Sequence, residues 1–186
     1  VVLFDFGMSK IDGLTSFAKD GTPIIFLNPT FPAARMRATL AHELGHVIMH
    51  RYMTPNADEE AWQFAYEFLM PEYEIRPHFF PLNLEKLMTL KRRWKVSMQF
   101  LLMWAREMGA LKDGYFRVLM SQISKRGWRK NEPMDDEWAP ESPSLLREII
   151  EYHVTDLGYT ADDLKRILTP NERTFQAEYF RKLVAI

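Results

Sequence analysis

The sequence predicts an α+β fold, on three observations. Short β-type runs joined by a turn fill the first 28 residues, amphipathic helical periodicity governs most of the remaining chain, and one helix carries His42, Glu43 and His46 in HExxH spacing. Val1 to Phe6, Gly13 to Ala18 and Ile24 to Leu27 have strand character, and Asp20-Gly21 supplies a hairpin-type turn between the last two. A small antiparallel sheet is expected from them, packed on the HExxH helix.

The helices come next in order. Beyond Asn28, Pro29 and Pro32 punctuate the entry to a helix from about Ala33 to Arg51, which carries the motif. A second opens after Pro55-Asn56, where Asn56 and Glu59 have the spacing of a capping box, and closes at Leu69-Met70-Pro71. Leu84 to Arg93 and Ser97 to Met108 form a helix-turn-helix-like pair across Trp94-Lys95-Val96, stopped by Gly109. Gly114 to Arg126 reads as helical, Asn131 to Pro143 as an acidic loop, and Ser144 to Leu157 and Thr160 to Leu168 as closing helices. The organisation expected is a core over 1–80, a helical region over 81–130 packed on it, and an acidic loop with C-terminal helices over 131–186.

Composition limits the chemistry. At 186 residues, 47% hydrophobic and 13% aromatic, the chain can bury a core without staples. It has no Cys, so a metal must be held by His and carboxylates. A net charge of -1 excludes a strongly basic footprint for nucleic acid. Lys91, Arg92, Arg93 and Lys95 cluster beside the helix-turn-helix-like turn, but the second helix begins Ser97-Met98-Gln99-Phe100-Leu101. A recognition helix presents polar or basic side chains there, so core packing is expected and DNA binding by this chain is not. No apolar run approaches the roughly 18 residues of a membrane span, and no leader is visible, so a cytoplasmic protein is expected. The chain starts Val-Val-Leu-Phe without Met and reads as a fragment or processed form.

In Thr39-Leu40-Ala41-His42-Glu43-Leu44-Gly45-His46 the two His lie four apart, one above the other on a helical face, where two imidazoles can reach one ion. Leu40, Leu44, Val47 and Ile48 form an apolar back, which argues against a merely solvated polar face. Glu43 lies about 100° round the helix from His42, suited to act as general base on water at the ion rather than as a ligand. Zinc would lower the pKa of that water towards about 7 and polarise a scissile carbonyl. Gly45 costs a helix interior about 1 kcal/mol relative to Ala, which points to close approach of another backbone. His50 continues the stripe as a supporting or surface residue rather than a fourth ligand, because a catalytic zinc keeps one position open. His78 and His153 have no such spacing.

The third ligand must come from elsewhere, and Asp58, Glu59, Glu60 and Glu67 lie on the next helix. Asp58 shares a side with Ala61, Trp62, Phe64, Ala65, Phe68 and Leu69, whereas Glu60 and Glu67 lie roughly opposite, towards solvent. Glu59 belongs to the capping box. Asp58 is therefore the candidate, although an acidic residue in a first turn also complements the helix dipole. Tyr52, Tyr66, Tyr73 and His78 could each stabilise an oxyanion, and spacing selects none of them.

Over roughly Ile11 to Gly109 the chain resembles the ImmA/IrrE family of metallo-endopeptidases, which includes phage and mobile-element regulators and a radiation-response regulator. The resemblance rests on the hairpin ending Ile-Ile-Phe-Leu-Asn28, the block from Arg37 to His46, Glu60-Ala61, Phe64-Ala65 and Phe68-Leu-Met-Pro71. Trp94-Lys-Val-Ser97 before the helix ending Met108-Gly109 is similar to an actinobacterial or actinophage branch. The resemblance implies a gluzincin-like fold, with an acidic third ligand three residues before an Ala and an Asn or Asp directly after it. Those positions hold Asp58, one methylene shorter than Glu, and Trp62, so Trp62 is not expected to orient His46 as a carboxylate or amide would, and the alternatives are weaker zinc binding at Asp58 or substitution by Glu59 after a small helix rotation. Ala38 stands where the family has Phe, a change expected to affect packing.

The expected function is that of a zinc-dependent endopeptidase of narrow specificity, acting on a protein or peptide. An extended target segment is expected along an edge strand at Ile24, Phe26 and Asn28. By resemblance, the target is a helix-turn-helix repressor in stress or mobile-element regulation. The competing reading is a non-cleaving regulatory or antitoxin-like binding module on the same fold.

Overall fold

The computed structural model describes residues 1–7, 10–50, 52, 54–160 and 162–164. Residues 1–141 form one compact unit and 142–186 a second. The first begins with β1 (Val2–Leu3), β2 (Gly13–Phe17) and β3 (Pro23–Leu27). The hairpin forms as expected: β2 and β3 are antiparallel, with Thr15 opposite Ile25, and Ala18 and Thr22 bond across the turn. The first strand is shorter than expected and pairs in parallel with β3, Val2 opposite Phe26, giving a mixed sheet of order β1-β3-β2. This corrects the expected role of β3. It is the central strand, with Phe26 flanked by Val2 and Leu14, so Ile24, Phe26 and Asn28 do not form a free edge. Asn28 is buried, and its side chain bonds Ile11 and Thr30.

Helix α1 (Ala33–Met49) lays its apolar back on this sheet, where Leu40, Leu44 and Val47 pack around Ile25, Leu27 and Met36. Ile48, assigned to the same back, is instead 61% exposed. Gly13 allows the sheet to come close, since a Cβ there would stand 2.6 Å from the Thr39 methyl.

Helix α2 (Ala57–Leu69) crosses α1 through small residues, with Ala41, Ala57, Ala61 and Ala65 all buried. A Cβ on Gly45 would meet Phe64 at 3.1 Å and the Ala61 backbone at 3.2 Å, which is the close approach expected for that glycine. The capping box does not form. Asn56 sits at φ -102°, ψ 2°, outside the extended conformation a side-chain cap uses, and it makes no such bond.

The chain continues through α3 (Glu72–Ile75) and a 3-10 turn (Arg76–Phe79) to α4 (Leu84–Trp94), α5 (Met98–Glu107) and α6 (Asp113–Lys125). Asn83 caps α4 through the Lys86 amide and Ser97 caps α5 through the Phe100 amide. Met98, Leu101 and Leu102 are fully buried, so the start of α5 packs into the core as expected. That core runs from Ala38 to Ile123, which joins the expected 1–80 and 81–130 segments. The acidic loop belongs to it as well, because Glu132 bonds buried Lys91 and accepts from the amides of Met98 and Gln99 at the start of α5. The compact unit therefore ends at Glu141 rather than 130.

In the second unit, α7 spans Leu145–Thr155. The helix expected from Thr160 to Leu168 falls largely outside the described residues. No helix among them is long and apolar enough to cross a membrane.

Candidate metal centre

The α1–α2 crossing brings three of the sequence-selected residues together. The Nε2 atoms of His42 and His46 are 3.1 Å apart, and Asp58 Oδ1 lies 3.3 Å from His42 Nε2. One donor atom from each falls within 4.8 Å of the others. Two ligands held about 2.05 Å from a tetrahedral ion stand about 3.3 Å apart, so these two spacings are those that ligands of one tetrahedral ion would have. The Asp58 side chain is 78% exposed against 9% for His42, so the carboxylate side of the group is open to solvent. Glu59 lines a neighbouring cavity rather than joining this group.

His42 is held as a neutral donor. Burial, with His46 second, lowers its pKa from the ordinary 6.5 to about 4, and Asp58 offsets part of that shift. Its Nδ1 is buried and has no hydrogen-bond partner among the described residues. Trp62 lies against this ring, with centroids 4.1 Å apart and planes inclined by 33°. The Asp58/Trp62 departure therefore bears on His42, not on His46 as expected: Trp62 holds the first imidazole by its ring face instead of by an acceptor.

Glu43 is buried on the same helix, and Thr15 Oγ1 donates to its Oε2 at 2.7 Å. The sequence offered no sign of Thr15, which comes from β2, 28 residues away. His50 ends α1 with a non-helical backbone, and its two ring nitrogens face His46 Nδ1 at 3.1 Å and Glu60 Oε2 at 2.9 Å. Neither nitrogen is left for an ion. Glu60, assigned to solvent by the helical wheel, is exposed as that predicts and also reaches back across the helix pair to His50.

Beside the candidate centre lies a cavity of about 570 Å³, lined by Ala38, Thr39, Trp62, Tyr66, Phe100 and Met103 among others. Ala38, where the resembling family has Phe, thus borders open space. Of the four side chains considered for an oxyanion, Tyr66 reaches this cavity, and burial raises its phenol pKa so that it keeps its proton. Tyr52 and Tyr73 are more than 70% exposed, and His78 lies beside Arg93.

No curated protein and no solved structure matches the chain. The peptidase M78 family model, the IrrE N-terminal-like domain, matches residues 1–104. That span covers the sheet, the crossed helices α1 and α2, and all three side chains of the candidate centre, and on this match the chain belongs to the M78 family of metallopeptidases.

Proposed function

We propose that the chain is a zinc-dependent endopeptidase of narrow specificity. The observation that carries this reading is the convergence of His42, His46 and Asp58 within 4.8 Å, with buried Glu43 on the same helix. Zinc, when bound there, supplies a water of lowered pKa and polarises the scissile carbonyl. Glu43 takes the proton of the attacking water on its carboxylate and passes it to the leaving amide nitrogen. Thr15 holds that carboxylate in one orientation through Oε2, and Asp58 completes the ligand set with its open side towards the substrate.

The docking strand is β2 rather than β3. Asp12 bonds Asn28 and Ala18 bonds Thr22, the residues flanking β3, so in this alternating ladder Gly13, Thr15 and Phe17 turn their main-chain groups to the outer edge. An extended target laid there meets Thr15, and through it Glu43. The cavity beside Trp62 receives one side chain of the target. Targets must be flexible at the cleaved bond, and a helix-turn-helix repressor with an exposed linker is the candidate in stress or mobile-element regulation.

The test combines metal analysis with mass-spectrometric mapping of repressor or peptide cleavage, comparing parent and Glu43→Gln. The expected result is one zinc per chain in both and cleavage by the parent alone. A zinc-free parent after reconstitution, or equal cleavage by both, overturns the reading. The unpartnered His42 Nδ1 favours a second reading, a regulatory binding module that keeps the fold without cleaving. Binding of an intact repressor by zinc-loaded parent would support it.

A further inference from the structure

His46 reaches the candidate centre through Nε2, and its other nitrogen is committed to a chain of side chains leading away from it. His46 Nδ1 is 3.1 Å from His50 Nδ1, and His50 Nε2 is 2.9 Å from Glu60 Oε2. His50 is almost wholly buried, with 4% of its side chain exposed, while Glu60 is 55% exposed. With Glu60 ionised and His50 neutral, the acceptor at the far end sets the direction of each hydrogen bond in between. An ionised carboxylate can only accept, so Glu60 takes the Nε2–H of His50. A neutral His50 so bonded has a lone pair on Nδ1, which can only accept the Nδ1–H of His46. His46 is then left with its lone pair on Nε2, the atom that faces His42 Nε2 at 3.1 Å.

We propose that His50 and Glu60 are positioning residues that fix His46 in its metal-binding tautomer, through a carboxylate–imidazole–imidazole relay running from α2 back to α1. The inference rests on the reading of His46 as a zinc ligand. It also accounts for an asymmetry of the site. His46 has a full supporting chain, whereas His42 has an unpartnered Nδ1 and the face of Trp62. Affinity for the ion is thus concentrated on the His46 side, where an outer partner orients the ring and raises its basicity. Backbone geometry makes this possible. The helix ends at Met49, and His50 at φ -114°, ψ 88° swings its ring between His46 and the first turn of α2.

The test uses the whole chain and zinc alone, in competition with a chromogenic chelator, with histidine tautomers read from long-range nitrogen–proton NMR correlations. In the zinc-loaded parent, His46 carries its proton on Nδ1 and His50 on Nε2. Glu60→Leu, at a half-exposed position, weakens zinc binding by about 10–100-fold, with thermal unfolding measured alongside. Glu60→Gln, which retains a carbonyl acceptor, recovers most of that loss, as a role limited to holding the helices together would not require. His50→Phe behaves like Glu60→Leu, with thermal unfolding measured to exclude a loss of fold. A parent that binds zinc with His50 protonated on Nδ1, or equal zinc affinity in Glu60→Leu and parent, overturns the relay and leaves the metal reading standing. A parent whose zinc uptake is no greater than that of His42→Ala overturns both.

Discussion

The indole of Trp62 packs on the imidazole of His42 at 4.1 Å between ring centroids, while the buried Nδ1 of that imidazole has no hydrogen-bond partner among the described residues. In the family that the sequence resembles, an amide or carboxylate stands at the Trp62 position, and such a side chain accepts from Nδ1–H if it reaches the edge of the ring rather than the face on which Trp62 packs. Trp62→Asn is therefore expected to tighten zinc binding, by up to about tenfold on the scale of outer-shell partners. It also removes an aromatic that packs near Tyr66 and Phe100, at a cost of about 2–3 kcal/mol for a partly buried ring. Chelator competition and urea unfolding measure the two effects on one sample. Unchanged affinity would show that stacking on Trp62 orients His42 as well as an acceptor does.

The lowered pKa of His42 gives the metal-free protein a pH dependence of known sign. The folded state holds this ring neutral down to about 4, whereas the unfolded chain takes up the proton near 6.5. Between those values the unfolded state binds more protons, so stability rises with pH. The contribution of His42 is complete above about 6.5 and is lost as pH falls towards about 4. Urea midpoints across that window should decline in the parent and decline less in His42→Gln, both stripped of metal. Parallel profiles would refute the assignment.

Features confined to one element or one turn were legible in the sequence. The HExxH helix, the tight approach at Gly45, the apolar start of α5 and the β2–β3 turn all come from spacing of that local kind. Residues that act across elements were missed for a common reason: a helical wheel gives direction about its own axis but not what stands opposite. Glu60 fell on the solvent side of the wheel and yet meets His50, because the last turn of α1 brings a buried imidazole to that flank of α2. Thr15 reaches Glu43 because β2 is the edge strand of the sheet nearest α1, which no spacing in the sequence indicates. The parallel pairing of β1 likewise depends on a crossover that periodicity does not encode.

Buried Lys91 was grouped in the sequence with a basic cluster, and the structure gives it a different task. Its ammonium meets Glu132 at 2.9 Å and Asp135 at 2.5 Å, while Glu132 also accepts from two amides at the start of α5. Lys91→Met leaves two carboxylates without their cation, Glu132 with only 4% of its side chain exposed. A loss of about 3–5 kcal/mol is expected, read as a shift in the urea midpoint of the 1–141 unit. Replacing all three, Lys91→Met with Glu132→Gln and Asp135→Asn, should recover part of it, because no buried charge then lacks a partner. No recovery would mean that Glu132 acts mainly as the negative cap of α5.

Thr15 joins the docking edge to the base, and this gives the proposed mechanism its most specific consequence. Its hydroxyl bonds Glu43 Oε2, while its main chain lies in the outward-facing register of β2 beside Gly13 and Phe17. Thr15→Val keeps the β-branched shape and the strand but removes the donor. Cleavage should slow by about tenfold through kcat, a fraction of the 10²–10⁴-fold general-base contribution, with KM and zinc content unchanged. Ser16→Pro leaves the outward groups in place and removes an inward bond to β3, so it should destabilise the hairpin. Thr15→Pro and Phe17→Pro each remove an outward N–H instead, and should raise KM with little change in the unfolding midpoint. If instead Thr15→Pro and Phe17→Pro leave KM unaltered, the target does not lie along β2, and the link between strand edge and catalytic base carries orientation of Glu43 alone.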